Sequence, residues 1–215
     1  MRQFTLVLGT DPVNAEAMAG KLPLVLISAV LGCLSLPAAW ADSSGRSDLE
    51  RAEAEIPRLP PAAFPELPPA LLAALEARGC RIPQIEPYDP AGGRDNVISG
   101  QFQRPGQTDW AVLCSIDHAA SLLVFWGGTP DQVAVVTRSA IPERFWLQRI
   151  SGDELGFSWL IRTVSPADIK AAEHAFGPSG APPVDHDGIE SAFLDKASNI
   201  YYWHQGKWLF LLGAD

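Results

Sequence analysis

The strongest pattern along the chain lies in residues 97–126. Two short apolar runs, residues 110–113 and 122–126, are separated by polar and small residues. Runs this short, rich in Val, Leu, Phe and Trp, read as buried strands. Pro105-Gly106-Gln107-Thr108-Asp109 reads as a tight turn ahead of them, because Pro presets φ and Gly accepts positive φ. Residues 97–102 form the strand entering that turn, and residues 115–120 form the turn between the two apolar runs. The spacing predicts a three-stranded antiparallel meander with Cys114 on its central strand.

The flanking patterns add short elements. Pro68-Pro69-Ala70 opens a helix that ends at Arg78, with Leu71, Leu72 and Leu75 as its buried face. Residues 81–95, rich in Pro and Gly, read as a loop. A further strand is expected over residues 132–138. A hairpin is expected from residues 143–150 and 154–162 around Ser151-Gly152-Asp153. Ser165-Pro166-Ala167-Asp168 starts a second helix, with Ile169, Ala172 and Phe176 spaced i, i+3, i+7. Residues 197–204 and 207–212 flank Gln205-Gly206 as a hairpin that would pair Trp203 with Trp208. Residues 42–69 show no apolar periodicity and read as a flexible Pro/Ala-rich tether. The expected fold is a single α+β domain over residues 70–215, a mostly antiparallel sheet with two or three short helices.

Composition narrows the functional classes. The chain is 47% hydrophobic and 19% charged, with a formal net charge of −9. There is no basic footprint for nucleic acid, and an acidic surface is repelled by anionic lipid. Residues 1–41 read as a signal peptide: Lys21, an apolar run over residues 22–36, then Ala39-Trp40-Ala41 as a small-x-small cleavage site. Asp11 and Glu16 are out of place ahead of such a core, so the expected translation start is Met18. A run of about 15 apolar residues is short for a membrane span of about 20. Leu31 and the apolar residues past Cys33 make a poor lipobox, so lipid anchoring at Cys33 ranks below cleavage after Ala41. The mature chain is expected in the periplasm or outside the cell, with no membrane span.

Removing the leader leaves Cys80 and Cys114 of the three cysteines. An even count in an oxidising compartment implies a disulfide. Closing a loop of 34 positions (114 − 80) stabilises by roughly 3–4 kcal/mol in the chain-entropy account.

Gly100-x-Phe102, the Gly106 turn, Asp109 and the apolar strand Trp110-Ala111-Val112-Leu113 together resemble one FG-GAP or VCBS repeat of integrin-like propellers. The core also looks like uncharacterised exported bacterial proteins. The resemblance covers about one repeat. In that family the turn is acidic and binds calcium. Here it is Gln103-Arg104-Pro105-Gly106-Gln107, with no carboxylate before Asp109, and calcium needs six or more oxygens. Neither calcium binding nor a full propeller carries over.

Candidate chemistry is sparse, and no cofactor or metal is implied. Asp185-His186-Asp187-Gly188-Ile189-Glu190 partly resembles a calcium loop but lacks its distal carboxylate. Its simpler reading is an acidic cap, from Asp185 or Asp187, on a short helix over residues 189–196 with Ile189 and Phe193 on its apolar face. Ser115, Asp117 and His118 are neighbours in a turn, without the Gly-x-Ser-x-Gly context of a nucleophile elbow. Trp110, Trp126, Trp146, Trp159, Trp203 and Trp208 fill a core or, if some are exposed, offer an aromatic binding surface. Two functions stay open. One is a non-enzymatic cell-envelope domain binding a protein or glycan through Trp146, Trp203 and Trp208. The other is a secreted hydrolase using His186 with Asp185 or Asp187. A deep polar pocket at His186 favours the second; an exposed aromatic patch favours the first.

Overall fold

The computed structural model describes residues 43–89, 91–137, 139–176 and 182–213; the expected leader, with Met18 and Cys33, lies outside them. Helix α1 (Ser43–Glu55) leads into strand β1 (Arg58–Leu59), helix α2 (Pro69–Ala77) and strand β2 (Ile82–Pro83), which pairs with β1. Strands β3 (Val97–Gly100), β4 (Asp109–Ile116), β5 (Ala119–Phe125) and β6 (Val133–Val135) form one sheet in sequence order. Strand β7 (Ile141–Pro142) also pairs with β5. Strands β8 (Leu147–Ser151) and β9 (Glu154–Phe157) make a separate hairpin. A second sheet takes β10 (Trp159–Val164), β11 (Gly188–Phe193), β12 (Ala197–His204) and β13 (Lys207–Leu212) in that order, with α3 (Pro166–Phe176) joining β10 to β11. All these pairings are antiparallel, and with three short helices the fold is α+β.

Strand alternation sorts the side chains into layers. On β4 and β5, Ala111, Leu113, Ala120, Leu122 and Val124 face the central core. That core is closed from the second sheet by Trp159, Ile161 and Ile189, with Tyr201, Trp203 and Trp208 packed against it. The opposite faces of β4 and β5 carry Val112, Cys114, Leu123 and Phe125, which pack on Leu71 and Leu75 of α2. The outer face of the second sheet carries Ile200, Tyr202 and Leu211, which pack on Ile169 of α3. Two sheets thus enclose one core, and each is backed by a helix. The side chain of Phe176, expected on the apolar face of α3, lies outside the described residues.

The expected meander is present. Its β4–β5 turn is only Asp117-His118, both with positive φ (49° and 62°), so the strands run further than the apolar runs alone indicate. Cys80 and Cys114 are joined, with Cα atoms 5.4 Å apart and both residues buried. The bridge ties the end of α2 to β4. The Ser165 hydroxyl accepts the Asp168 N–H, and the Asp168 carboxylate accepts the Ser165 backbone N–H, a reciprocal cap on α3.

Three expectations are corrected. Residues 42–69 are not a tether: α1 occupies Ser43–Glu55, Ala52 and Ile56 enter the central core, and Phe64 and Leu67 lie buried under the first sheet. Among the described side chains of α1 only Ala52 is buried in that core, with Ile56 just past its end, so the helix depends on docking rather than on its own propensity. Residues 189–196 are not a helix, and neither Asp185 nor Asp187 caps one: β11 lies there, between β10 and β12. Ile189 and Phe193 are four apart, which is one face of a helix and equally one face of a strand. Pairing on both sides decided for the strand. The expected second strand of the β8 hairpin is also divided: β9 pairs with β8, whereas β10 leaves for the second sheet.

Buried polar side chains hold the layers together. Asn96, with φ of 70°, donates from Nδ2 to the carbonyls of Pro83 (2.8 Å) and Trp159 (2.9 Å), and its Oδ1 accepts the Ile161 N–H (3.0 Å). One amide therefore substitutes for a neighbouring strand along the free edge of β10.

Candidate functional site

The β3–β4 turn follows from its sequence. Pro105 and Gly106 occupy the centre, Gly106 has φ of 80°, and the Gln107 N–H reaches the Arg104 carbonyl at 3.4 Å. Gly100 leaves room for the Phe102 ring, since a Cβ there would sit 2.6 Å from it. Asp109, fully buried, accepts the backbone N–H of Gln103 (2.9 Å) and of Gly127 (2.7 Å) and the side-chain amide of Gln107 (2.6 Å). This conserves geometry rather than offering chemistry: the carboxylate's oxygens are spent on the protein's own donors.

The acidic segment before β11 is split. His186 is buried, with Nδ1 3.1 Å from Asp185 and Nε2 2.9 Å from the Trp203 carbonyl. Both ring nitrogens are engaged by acceptors of the protein itself, so neither is free to reach a substrate. Asp187 turns away and accepts the Gln101 N–H at 2.8 Å. Among the described residues, no group of three or more His, Cys, Asp or Glu side chains is placed to hold a metal ion.

The turn residues Ser115, Asp117 and His118 do meet in one cavity, of about 350 Å³, shared with Arg58 and Arg81. The guanidinium of Arg58 donates to the fully buried Glu143 carboxylate from Nε (2.9 Å) and Nη2 (2.5 Å). Its Nη2 also lies 3.0 Å from His118 Nδ1 and 2.6 Å from the Glu53 carbonyl, to which it donates. A guanidinium only donates, so His118 Nδ1 is the acceptor. Through these partners Arg58 locks α1 to the segment before β8. Sequence reading missed this cluster because its members are 85 positions apart.

The tryptophans form two buttressed groups. Trp146 stacks on the buried Trp159 (centroids 4.2 Å apart) with its edge toward Phe193. Trp126, Trp203 and Trp208 form a second group, with centroids 5.1–5.5 Å apart. Trp203 and Trp208 pair across the β12–β13 hairpin as expected. Trp146, Trp203 and Trp208 are half-buried, so no broad tryptophan face meets solvent.

The aromatic surface lies one step further along the sheet. Phe210, 62% exposed, pairs with Tyr201 across β12 and β13, their centroids 6.2 Å apart. Tyr201, Trp208 and Phe210 form one wall of an open cleft of about 440 Å³, and Thr137, Ser139 and Ile141 form the other. The Thr137 hydroxyl and the Trp208 indole N–H are buried without a hydrogen-bond partner, each costing about 1–3 kcal/mol. Burial pushes the Tyr201 phenol above its usual range, so it stays a neutral donor and acceptor. The aromatic count pointed toward such a surface, but Tyr201 and Phe210 carried no separate sequence signal. Compared with family models, curated proteins and solved structures, the chain matches none.

Proposed function

We propose that the protein is a non-enzymatic domain of the cell envelope that binds a protein or glycan partner. The observation that carries this reading is the cleft beside β13, lined by Tyr201, Trp208, Ser139 and the exposed Phe210. Concave sites of this size, apolar with a few polar groups, suit ligand binding. Export is supported by the leader pattern over residues 22–41 and by the Cys80–Cys114 bridge. Among the described residues no helix is long and apolar enough to cross a membrane. The described lining residues carry no charged side chain, and they offer a partner shape and hydrogen bonds.

The test is an amide correlation spectrum of the purified, oxidised protein titrated with envelope oligosaccharides and with uncharged peptides. Saturable shifts confined to residues around Thr137, Tyr201, Trp208 and Phe210 support the reading. Saturable shifts centred elsewhere, or none at millimolar ligand, overturn it.

A further inference from the structure

We propose that the outer edge of β13 is a self-association site, where a second copy of this chain pairs antiparallel about Phe210. Such pairing does not depend on what the cleft binds. β12 and β13 are joined by the two-residue turn Gln205-Gly206, so His204 and Lys207 exchange backbone bonds, as do Tyr202 with Leu209 and Ile200 with Leu211. The Gly213 N–H bond to the Ser198 carbonyl, 2.9 Å, continues the same alternation. The backbone N–H and C=O groups of Trp208, Phe210 and Leu212 therefore point away from β12. Among the described residues no strand lies beyond β13, and no hydrogen bond reaches those groups.

The other edges of the two sheets are short or covered. β6 and β7 have three and two residues, and β7 contains Pro142. β3 meets β10, where the Thr163 hydroxyl donates to the Ser99 carbonyl and the Asn96 amide bonds Trp159 and Ile161. β13 has six residues in unbroken register, without Pro, and its Phe210 and Leu212 are 62% and 57% exposed. A straight, apolar, open edge is a template for another strand. Its residue order suits its own copy. In two-fold pairing Phe210 meets the second copy's Phe210 and Trp208 meets its Leu212, so every outward residue of both edges exchanges backbone bonds. Moving the axis to Leu209 or Leu211 puts Leu212 or Trp208 opposite a residue outside β13. The three side chains share one face, so each pair is apolar against apolar. Lys207, the one charged residue of β13, falls outside the paired span. The net charge of −9 on each copy opposes association, but it is screened beyond about 8 Å at physiological salt.

Sedimentation equilibrium and residue-resolved amide hydrogen exchange of the oxidised protein test this. The weight-average mass should double as the concentration rises from about 1 μM to about 1 mM. Over the same range, exchange at the N–H groups of Trp208, Phe210 and Leu212 should slow at least about tenfold. Leu209 and Leu211, bonded to β12 within one copy, should stay protected throughout. Phe210→Lys sets like charges opposite each other across the two-fold axis and should keep the protein monomeric. Phe210→Pro removes an outward N–H without touching the β12 ladder and should do the same. Phe145→Ala removes an exposed ring outside β13 and should leave association unchanged. Melting curves establish that each variant is folded; if neither Phe210 variant folds, the exchange of the wild type decides. A single-chain mass up to about 1 mM overturns the proposal. So does a dimer that survives Phe210→Lys or leaves the three outward amides unprotected. A mass that climbs past two chains overturns it as well, because β13 would then be pairing with a different edge.

Discussion

The Asp109 carboxylate accepts the backbone N–H of Gly127 at 2.7 Å, joining the start of β4 to the chain leaving β5, 18 positions away. The same side chain accepts the Gln103 N–H of the preceding turn. One fully buried carboxylate thus ties the β3–β4 turn to the exit of β5.

Asp109→Ala should therefore cost more than changes to the turn it serves. It removes the carboxylate to which the Gln103 and Gly127 N–H groups and the Gln107 amide donate, at about 1–3 kcal/mol for each bond lost. Gly106→Val places a β-branched side chain at φ of 80°, costing roughly 1–3 kcal/mol through strain alone, since nothing lies within 4 Å of a Cβ there. Urea unfolding of the two variants and Gly106→Ala should rank Asp109→Ala lowest in stability, with all three still folded. Glycine variants as stable as the wild type would remove the special role of Gly106.

Arg58 and Glu143 form an ion pair with side chains 16% and 0% exposed. Removing one partner strands the other charge. Arg58→Ala should destabilise by about 3–5 kcal/mol, whereas a paired Arg58→Met, Glu143→Leu substitution should recover most of that loss. A double-mutant cycle in guanidinium chloride measures the coupling. Additive losses would show that the pair contributes no specific interaction.

The disulfide closes a loop of 34 positions between α2 and β4. Cys114→Ala should cost about 2–5 kcal/mol. Thiol titration of unfolded, unreduced protein should find neither Cys80 nor Cys114 free; two free thiols would refute the bridge.

Burial holds the Glu86 carboxyl above its ordinary 4.5, although it accepts the Phe157 N–H at 2.9 Å. The folded state then binds this proton more tightly than the unfolded state. Stability contributed by protonated Glu86 is lost as pH rises from 4.5 through the raised folded value. Glu86→Gln can accept the same N–H without a charge. It should melt above the wild type at pH 7 and with it near pH 4. A constant difference across that range would show that the carboxyl's titration does not matter.

Local chemistry by itself determined the meander, the α2 and α3 helices, the Gln205-Gly206 hairpin and the Cys80–Cys114 pairing. Pro105-Gly106 dictates a turn, Ser165 with Asp168 dictates a helix start, and a short continuous apolar run dictates a strand buried on both faces. Tertiary structure decided what those signals leave ambiguous. Ile189 and Phe193 suit either period, and pairing with β10 and β12 made them a strand. Ala52 and Ile56 are too few to announce a helix, and the core they enter supplies its stability. The cleft was least legible of all. Thr137 and Ser139 lie more than 60 positions from Tyr201 and Phe210, and only the facing of two sheets brings those hydroxyls and rings together.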